Sequence, residues 1–271
     1  MNPLVAGGVV LALAAVGSSA LSISQGLLRS ERTSVVSLDG DVTRLVLEVD
    51  SGDVRVVARQ REGVRLEREE TWSIERPSVS EEVVGDELRV RADCNAVLSW
   101  CDVSYVLEVP AGTTVLARTG SGSFEAERTG EVQADTGSGD VQLTSVTGDA
   151  DVRSGSGEVV VDDVRGRSVV ARTGSGDITV TRSRLERFSG RTGSGDVEVG
   201  LRTAPREVLA RTGSGDVEVE LPSTDDAYAV AVRTGSGDQD VGVRTDPGSD
   251  RVVDVETGSG DASVRYAGGL G

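Results

Sequence analysis

Asp140, Asp177, Asp196, Asp216, Asp238 and Asp261 each stand directly after a Gly-Ser-Gly triplet, at a recurring interval along the chain. Ser123 and Glu158 fill the same place in two further copies. The chemistry such a column could do is cation binding. Carboxylates stacked at strand spacing repel one another, and a hard cation with oxygen ligands, Ca²⁺ above all, would relieve that. The calcium-binding nonapeptide of repeat proteins reads Gly-Gly-x-Gly-x-Asp-x-apolar-x. Here the Asp follows the second Gly directly and the period is roughly double, which makes calcium the weaker reading. The simpler one is that each Asp caps its turn and pairs across the corner with Arg118, Arg153, Arg172, Arg191, Arg211 and Arg233.

Other chemistry is narrowed by what the chain lacks. It has no His, which removes Ser-His-Asp and Cys-His catalysis and His-bound metals. All 28 basic residues are Arg, so lysine Schiff bases and the lysine of phosphate loops are absent. Outward carboxylates such as Glu198 and Glu218 would lie near the separation used by retaining glycosidases, about 5–5.5 Å. The repeat generates such pairs everywhere, which disfavours a carbohydrate-active enzyme. Trp72 and Trp100 could stack on a sugar, but buried caps over the N-terminal β region are the better expectation. Cys94 and Cys101 are too few for a four-thiolate zinc site. In an exported chain they are expected to close one structural disulfide, reduced buried thiols being the alternative.

The element that positions these residues is a repeat. Thr/Ser-Gly-Ser-Gly occurs eight times, with first glycines at Gly120, Gly137, Gly155, Gly174, Gly193, Gly213, Gly235 and Gly258. Residues alternate with period two on either side of each triplet, the strand signature. Positions four and two before the Thr/Ser run from Val115 and Ala117 to Val253 and Val255. Those after the turn run from Phe124 and Ala126 to Ala262 and Val264. Of these 32 inward positions only Gln239 is polar. Aromatics are 3% of the chain, so the core must be built from Val, Ala and Leu.

These features predict an all-β chain: a single-stranded β-solenoid or β-helix with stacked Gly-Ser-Gly-Asp turns, preceded by an N-terminal apolar helix. The Thr column is expected to form a hydroxyl ladder at the corner, and glycine to supply the tight turn. Coils about 4.8 Å apart would each bury their apolar columns against the next and could not fold alone.

Three segments follow. Residues 1–28 carry no charged side chain and read as a signal peptide or a retained transmembrane anchor. Residues 29–117 form an N-terminal β region continuous with the solenoid, with 11 Arg against 18 Asp and Glu, a balance of −7. Residues 118–271 hold the repeats, with 17 Arg against 27 acids, a balance of −10. Both are acidic, so nucleic acid and anionic lipid surfaces are poor partners on charge grounds, while cations, cationic peptides and neutral glycans remain open. Membrane contact would run through residues 1–28 if they are not cleaved.

The segments Leu45-Val-Leu-Glu-Val-Asp-Ser-Gly-Asp-Val-Arg-Val56 and Tyr105-Val-Leu-Glu-Val-Pro-Ala-Gly-Thr-Thr-Val115, with the serial Thr-Gly-Ser-Gly-Asp-Val units, resemble the bacterial putative-adhesin domain family. The resemblance covers most of residues 40–271. It implies an extended N-terminal β region leading into a Gly-rich solenoid. It also implies an extracytoplasmic, non-enzymatic surface domain without a cofactor, either secreted or membrane-anchored. No catalytic residue carries over. An adhesin-like binding or scaffold module with an unidentified cell-envelope ligand is the first functional expectation. A component of envelope-stress signalling that senses cationic peptides is the second.

Overall fold

The computed structural model describes residues 29–94 and 100–268. Its N-terminal part contains β1 (Ser30–Leu38), β2 (Arg44–Ser51), β3 (Val54–Arg59), β4 (Val64–Trp72), β5 (Ser78–Val84), β6 (Glu87–Asp93) and β7 (Cys101–Pro110). Each later glycine corner then has one strand before it and one after. These are β8 (Thr114–Ser121) with β9 (Phe124–Glu127), β10 (Val132–Ser138) with β11 (Val141–Thr144), and β12 (Ala150–Ser154) with β13 (Val159–Asp162). Next come β14 (Ser168–Ser175) with β15 (Ile178–Ser183) and β16 (Arg187–Ser194) with β17 (Val197–Leu201). The last are β18 (Glu207–Thr212) with β19 (Val217–Leu221), β20 (Ala229–Thr234) with β21 (Gln239–Gly242), and β22 (Val252–Thr257) with β23 (Ala262–Tyr266).

The strands form two facing sheets. One holds twelve strands in the order β1-β4-β7-β3-β9-β11-β13-β15-β17-β19-β23-β21. The other holds eleven, β20-β22-β18-β16-β14-β12-β10-β8-β2-β6-β5. Each two-strand coil contributes one strand to each sheet and pairs in parallel with its neighbours, Thr over Thr and Val over Val. The expectation of a helix before an all-β solenoid is corrected: among the described residues there is no helix. Their apolar residues alternate with period two, which gives a strand face and no helical stripe. Residues 1–28, where the helix was expected, lie outside the described residues. No described helix is long and apolar enough to cross a membrane.

Stacking does not follow chain order at either end. The coil β2–β3 sits directly on β8–β9, and β6–β7 lies outside it. At the other end β22–β23 stacks on β18–β19, and the earlier coil β20–β21 lies outermost. This explains the one polar residue of the inward columns. Gln239 belongs to the terminal coil and is exposed, as is Val241 beside it. Among the described residues no further coil covers them.

The space between the sheets is filled by buried Val, Leu and Ala, with Phe124, Phe188, Tyr105 and Tyr228 as the large side chains. Size is compensated locally. A Cβ on Gly190 would come within 2.6 Å of the Phe188 ring, so this coil exchanges the usual Val-Ala pair for Phe-Gly. The far corner is turned differently from the glycine corner. Arg128, Ser145, Asp163 and Arg182 occupy it in successive coils with φ between 51° and 59°.

The N-terminal end is closed by antiparallel strands, β1 on β4 and β4 on β7 in one sheet and β5 on β6 in the other. Arg68 on β4 and Glu81 on β5 join across the opening.

The order at the C-terminal end is open to cross-linking. Leu209, Asp254 and Ala231 lie in line on three neighbouring strands. Adjacent parallel strands sit about 4.8 Å apart, within disulfide reach, whereas two spacings exceed it. Oxidation should join Leu209→Cys to Asp254→Cys and leave Leu209→Cys with Ala231→Cys uncrosslinked, as read by mobility on non-reducing gels.

Candidate functional site

The glycine corner is where the chain concentrates its chemistry-bearing residues. A Cβ on the first glycine of a triplet would lie 2.2–2.5 Å from a backbone oxygen of the adjacent coil, as at Gly137, Gly155 and Gly213. On the second glycine it would lie about as close, 1.9 Å at Gly139 and Gly157. Backbone meets backbone here, and no side chain fits. The Thr/Ser before each triplet is tucked inward. Ser154 donates to Gly139 O at 2.9 Å, Thr173 to Gly157 O at 2.9 Å, Thr212 to Gly195 O at 2.8 Å and Thr257 to Gly215 O at 2.8 Å. The hydroxyl ladder exists, and it runs from side chain to the neighbouring coil's carbonyl.

The aspartates complete the corner. Asp177 Oδ1 accepts the backbone N–H of Asp196 at 2.8 Å, Asp196 Oδ1 that of Asp216 at 2.8 Å, and Asp216 Oδ1 that of Asp261 at 2.7 Å. Asp261 Oδ1 accepts from Asp238 at 2.8 Å, and Asp140 Oδ1 accepts from Glu158 N–H at 2.9 Å. Asp53, one coil before the first full triplet, receives Ser123 N–H at 2.8 Å. Among the described residues, neither Ser123 nor Glu158 passes the bond on to the next coil. Asp53, Asp140, Asp177, Asp196, Asp216 and Asp261 thus each cap the next coil of the stack, and the charge strengthens the bond. Among the described residues no three His, Cys, Asp or Glu are grouped to hold a metal ion.

The arginine column does not meet these aspartates. It lies on the outer face of the eleven-stranded sheet, and most of it pairs with acids there. Arg153 reaches Asp151 at 2.9 Å and Asp135 at 3.6 Å, Arg233 reaches Asp254 at 3.1 Å, and Arg211 reaches Asp254 and Glu256 at 3.5 Å each. Arg118 lies 3.9 Å from Glu48. Such exposed pairs are each worth about 0–1 kcal/mol. Glu198 and Glu218 are register partners on the twelve-stranded sheet. They lie on its outward face, and Glu218 is paired with Arg265.

Sequence reasoning missed a buried ionic group at the N-terminal end. Glu70, with no exposed surface, accepts from Arg68 Nε at 2.9 Å and from Arg76 Nε at 2.6 Å and Nη2 at 2.8 Å. Burial works to raise the Glu70 pKa, but the hydrogen bonds and charges of Arg76 and Arg68 outweigh it and hold the carboxyl below the usual range. Burial pushes the neighbouring Tyr105 phenol well up. The signal was present in β4, where Val64, Leu66, Arg68 and Glu70 alternate inward and the apolar pattern turns ionic halfway.

Cys94 and Cys101 form a disulfide with Cα atoms 5.7 Å apart, bridging the corner of the β6–β7 coil. The tryptophans are not buried caps. Trp72 is partly exposed and Trp100 is 49% exposed.

If the Asp column is a backbone cap, Asp196→Ala should lower stability by about 1 kcal/mol and Asp196→Asn, which keeps an acceptor, by less. The melting temperature of the unaltered chain should be the same in calcium and in EDTA, as checked by thermal unfolding. A calcium-dependent rise in melting temperature would make the column a cation site.

No curated protein matches this sequence. A solved structure with the same fold is that of a putative adhesin from Parabacteroides distasonis, 16% identical over 88% of this chain and 97% of that one, with a TM-score of 0.51. A putative adhesin from Bacteroides fragilis is 12% identical over 90% and 98% respectively, with a TM-score of 0.49. The family model described as Toastrack DUF4097 matches residues 42–265, from the first residues before β2 through the last strand of the solenoid. With that span covering most of both sheets, the chain belongs to the Toastrack DUF4097 family.

Proposed function

We propose that this chain is a non-enzymatic, extracytoplasmic surface domain, an adhesin-like binding or scaffold module. The observation that carries the reading is the use to which the corner is put. The aspartates that could have done chemistry accept backbone N–H groups from the next coil. Most of the outward arginines are paired with acids on their own sheet. What such a molecule offers a partner is two long, flat, polar faces. Solenoids bind in this way, over extended surfaces.

Three further features support the location and role. Twenty-eight uncharged residues precede Arg29, as in an export or anchor segment. The Cys94–Cys101 disulfide suits an oxidising compartment. The Parabacteroides protein with the same fold is described as a putative adhesin. The net charge of −17 supports a second reading, capture of cationic peptides.

Co-sedimentation tests both readings. The chain from Arg29 onward, with its disulfide formed, is spun with intact cells and with isolated envelopes. Saturable binding that persists at high salt is expected for the adhesin reading. Binding that vanishes with salt and is displaced by a cationic peptide would favour the second. No saturable binding to any envelope fraction would overturn the first.

A further inference from the structure

Both tryptophans of the chain meet at one place. Trp72 ends β4 and pairs in register with Cys101, the first residue of β7, immediately after Trp100. Ser73 ties the two segments together. Its N–H donates to Trp100 O at 3.1 Å, and its Oγ accepts from Trp100 N–H at 3.2 Å. The disulfide anchors the same corner through Cys101. An arginine lies over each indole: Arg29 Cζ is 5.7 Å from the Trp100 ring centre, and Arg76 Cζ is 5.7 Å from that of Trp72. Ile74, between them in sequence, is 68% exposed and Trp100 is 49% exposed.

The placement of Arg29 gives this patch its meaning. Arg29 is the first charged residue after 28 uncharged ones. Its guanidinium rests on Trp100, so the chain enters the domain at the patch itself. We infer that Trp100, Ile74 and the stacked arginines form a foot that seats the domain in the lipid–water interface of a bilayer, at the point where residues 1–28 emerge. The inference rests on reading residues 1–28 as a retained membrane segment.

The chemistry fits that occupant. Indole rings are amphipathic and concentrate at the level of lipid headgroups. Guanidinium groups bind phosphate oxygens while their stems lie on apolar surface. Ile74 supplies an aliphatic side chain to the acyl boundary. Arg76 is already held by Glu70 through Nε and Nη2, which makes Arg29, stacked on Trp100, the guanidinium of the foot that meets phosphate. The acidic repeats are repelled by anionic headgroups. The rod would therefore be held by one end, its solenoid directed away from the membrane.

Residues 1–28 contain no Trp, so tryptophan emission of the full chain reports only Trp72 and Trp100. The full chain is reconstituted into phosphatidylcholine–phosphatidylglycerol vesicles with and without lipid brominated near the headgroup. Flotation and emission are read together. The expected result is flotation with quenched emission, the quenching retained in Trp72→Phe, lost in Trp100→Phe and reduced at least twofold in Ile74→Glu. Flotation with unquenched emission would overturn the foot while the membrane-segment reading stands. Failure to float would overturn that reading and the foot with it. An emission change on adding soluble peptidoglycan strands, with none from brominated lipid, would overturn the foot by assigning Trp100 to a sugar.

Discussion

The fold depends on how closely successive coils approach at the glycine corner. A backbone oxygen of one coil occupies the place where a Cβ of the next would stand, at 1.9–2.5 Å over both glycine positions of the later repeats. That approach lets Thr hydroxyls reach carbonyls one coil away, and lets every Asp of the column but Asp238, in the outermost coil, cap the N–H of the next coil in the stack. Positive φ is only part of the reason for glycine. Gly195 and Gly215 have φ near 136° and 135°, but Gly155 and Gly174, just as tightly approached, are not in the left-handed region. The triplet is conserved along the rod because stacking repeats, and each repeat meets the same steric limit.

A stack of identical coils would leave two exposed cross-sections, and this chain treats them differently. At one end, antiparallel strands and the Arg68–Glu70–Arg76–Glu81 group close the space between the sheets. A fully buried carboxylate is tolerable there because two guanidinium groups satisfy it. At the other end the chain overshoots, lays down β20–β21, and returns to insert β22–β23 beneath it. The outermost coil then carries Gln239 where the repeats beneath it bury an apolar side chain, which keeps the final edge wettable.

Much of this was legible in the residues. The alternation around each Gly-Ser-Gly placed the inward columns, and the structure buries them almost throughout. The hydroxyl ladder followed from the Thr column. Chain order at the ends could not be read, because coils with the same columns stack equally well in either sequence. Gln239 was the one clue to it. The coil containing Gly52 was harder to see as a repeat because Asp50-Ser51-Gly52-Asp53 has a single glycine, although Leu45, Leu47, Val54 and Val56 keep the register. The Asp column was visible and its bonding was not. A carboxylate beside a turn can face a cation, an arginine or a backbone N–H, and only the stacking distance selects the last. The helix expected from residues 1–28 has no counterpart among the described strands.

A surface module built in this way would owe its reach to the stack and its attachment to one end, with the repeats acting as a rigid spacer. That makes the steric argument at the corner the claim to test. Gly155→Ala places a methyl group 2.2 Å from Gly137 O, whereas Gly200→Ala meets nothing nearer than 3.7 Å. Denaturant unfolding of the two variants separates stacking from backbone flexibility. The account predicts that Gly155→Ala loses about 1–3 kcal/mol or more and that Gly200→Ala is neutral or slightly stabilising. Equal stability in both variants would contradict it.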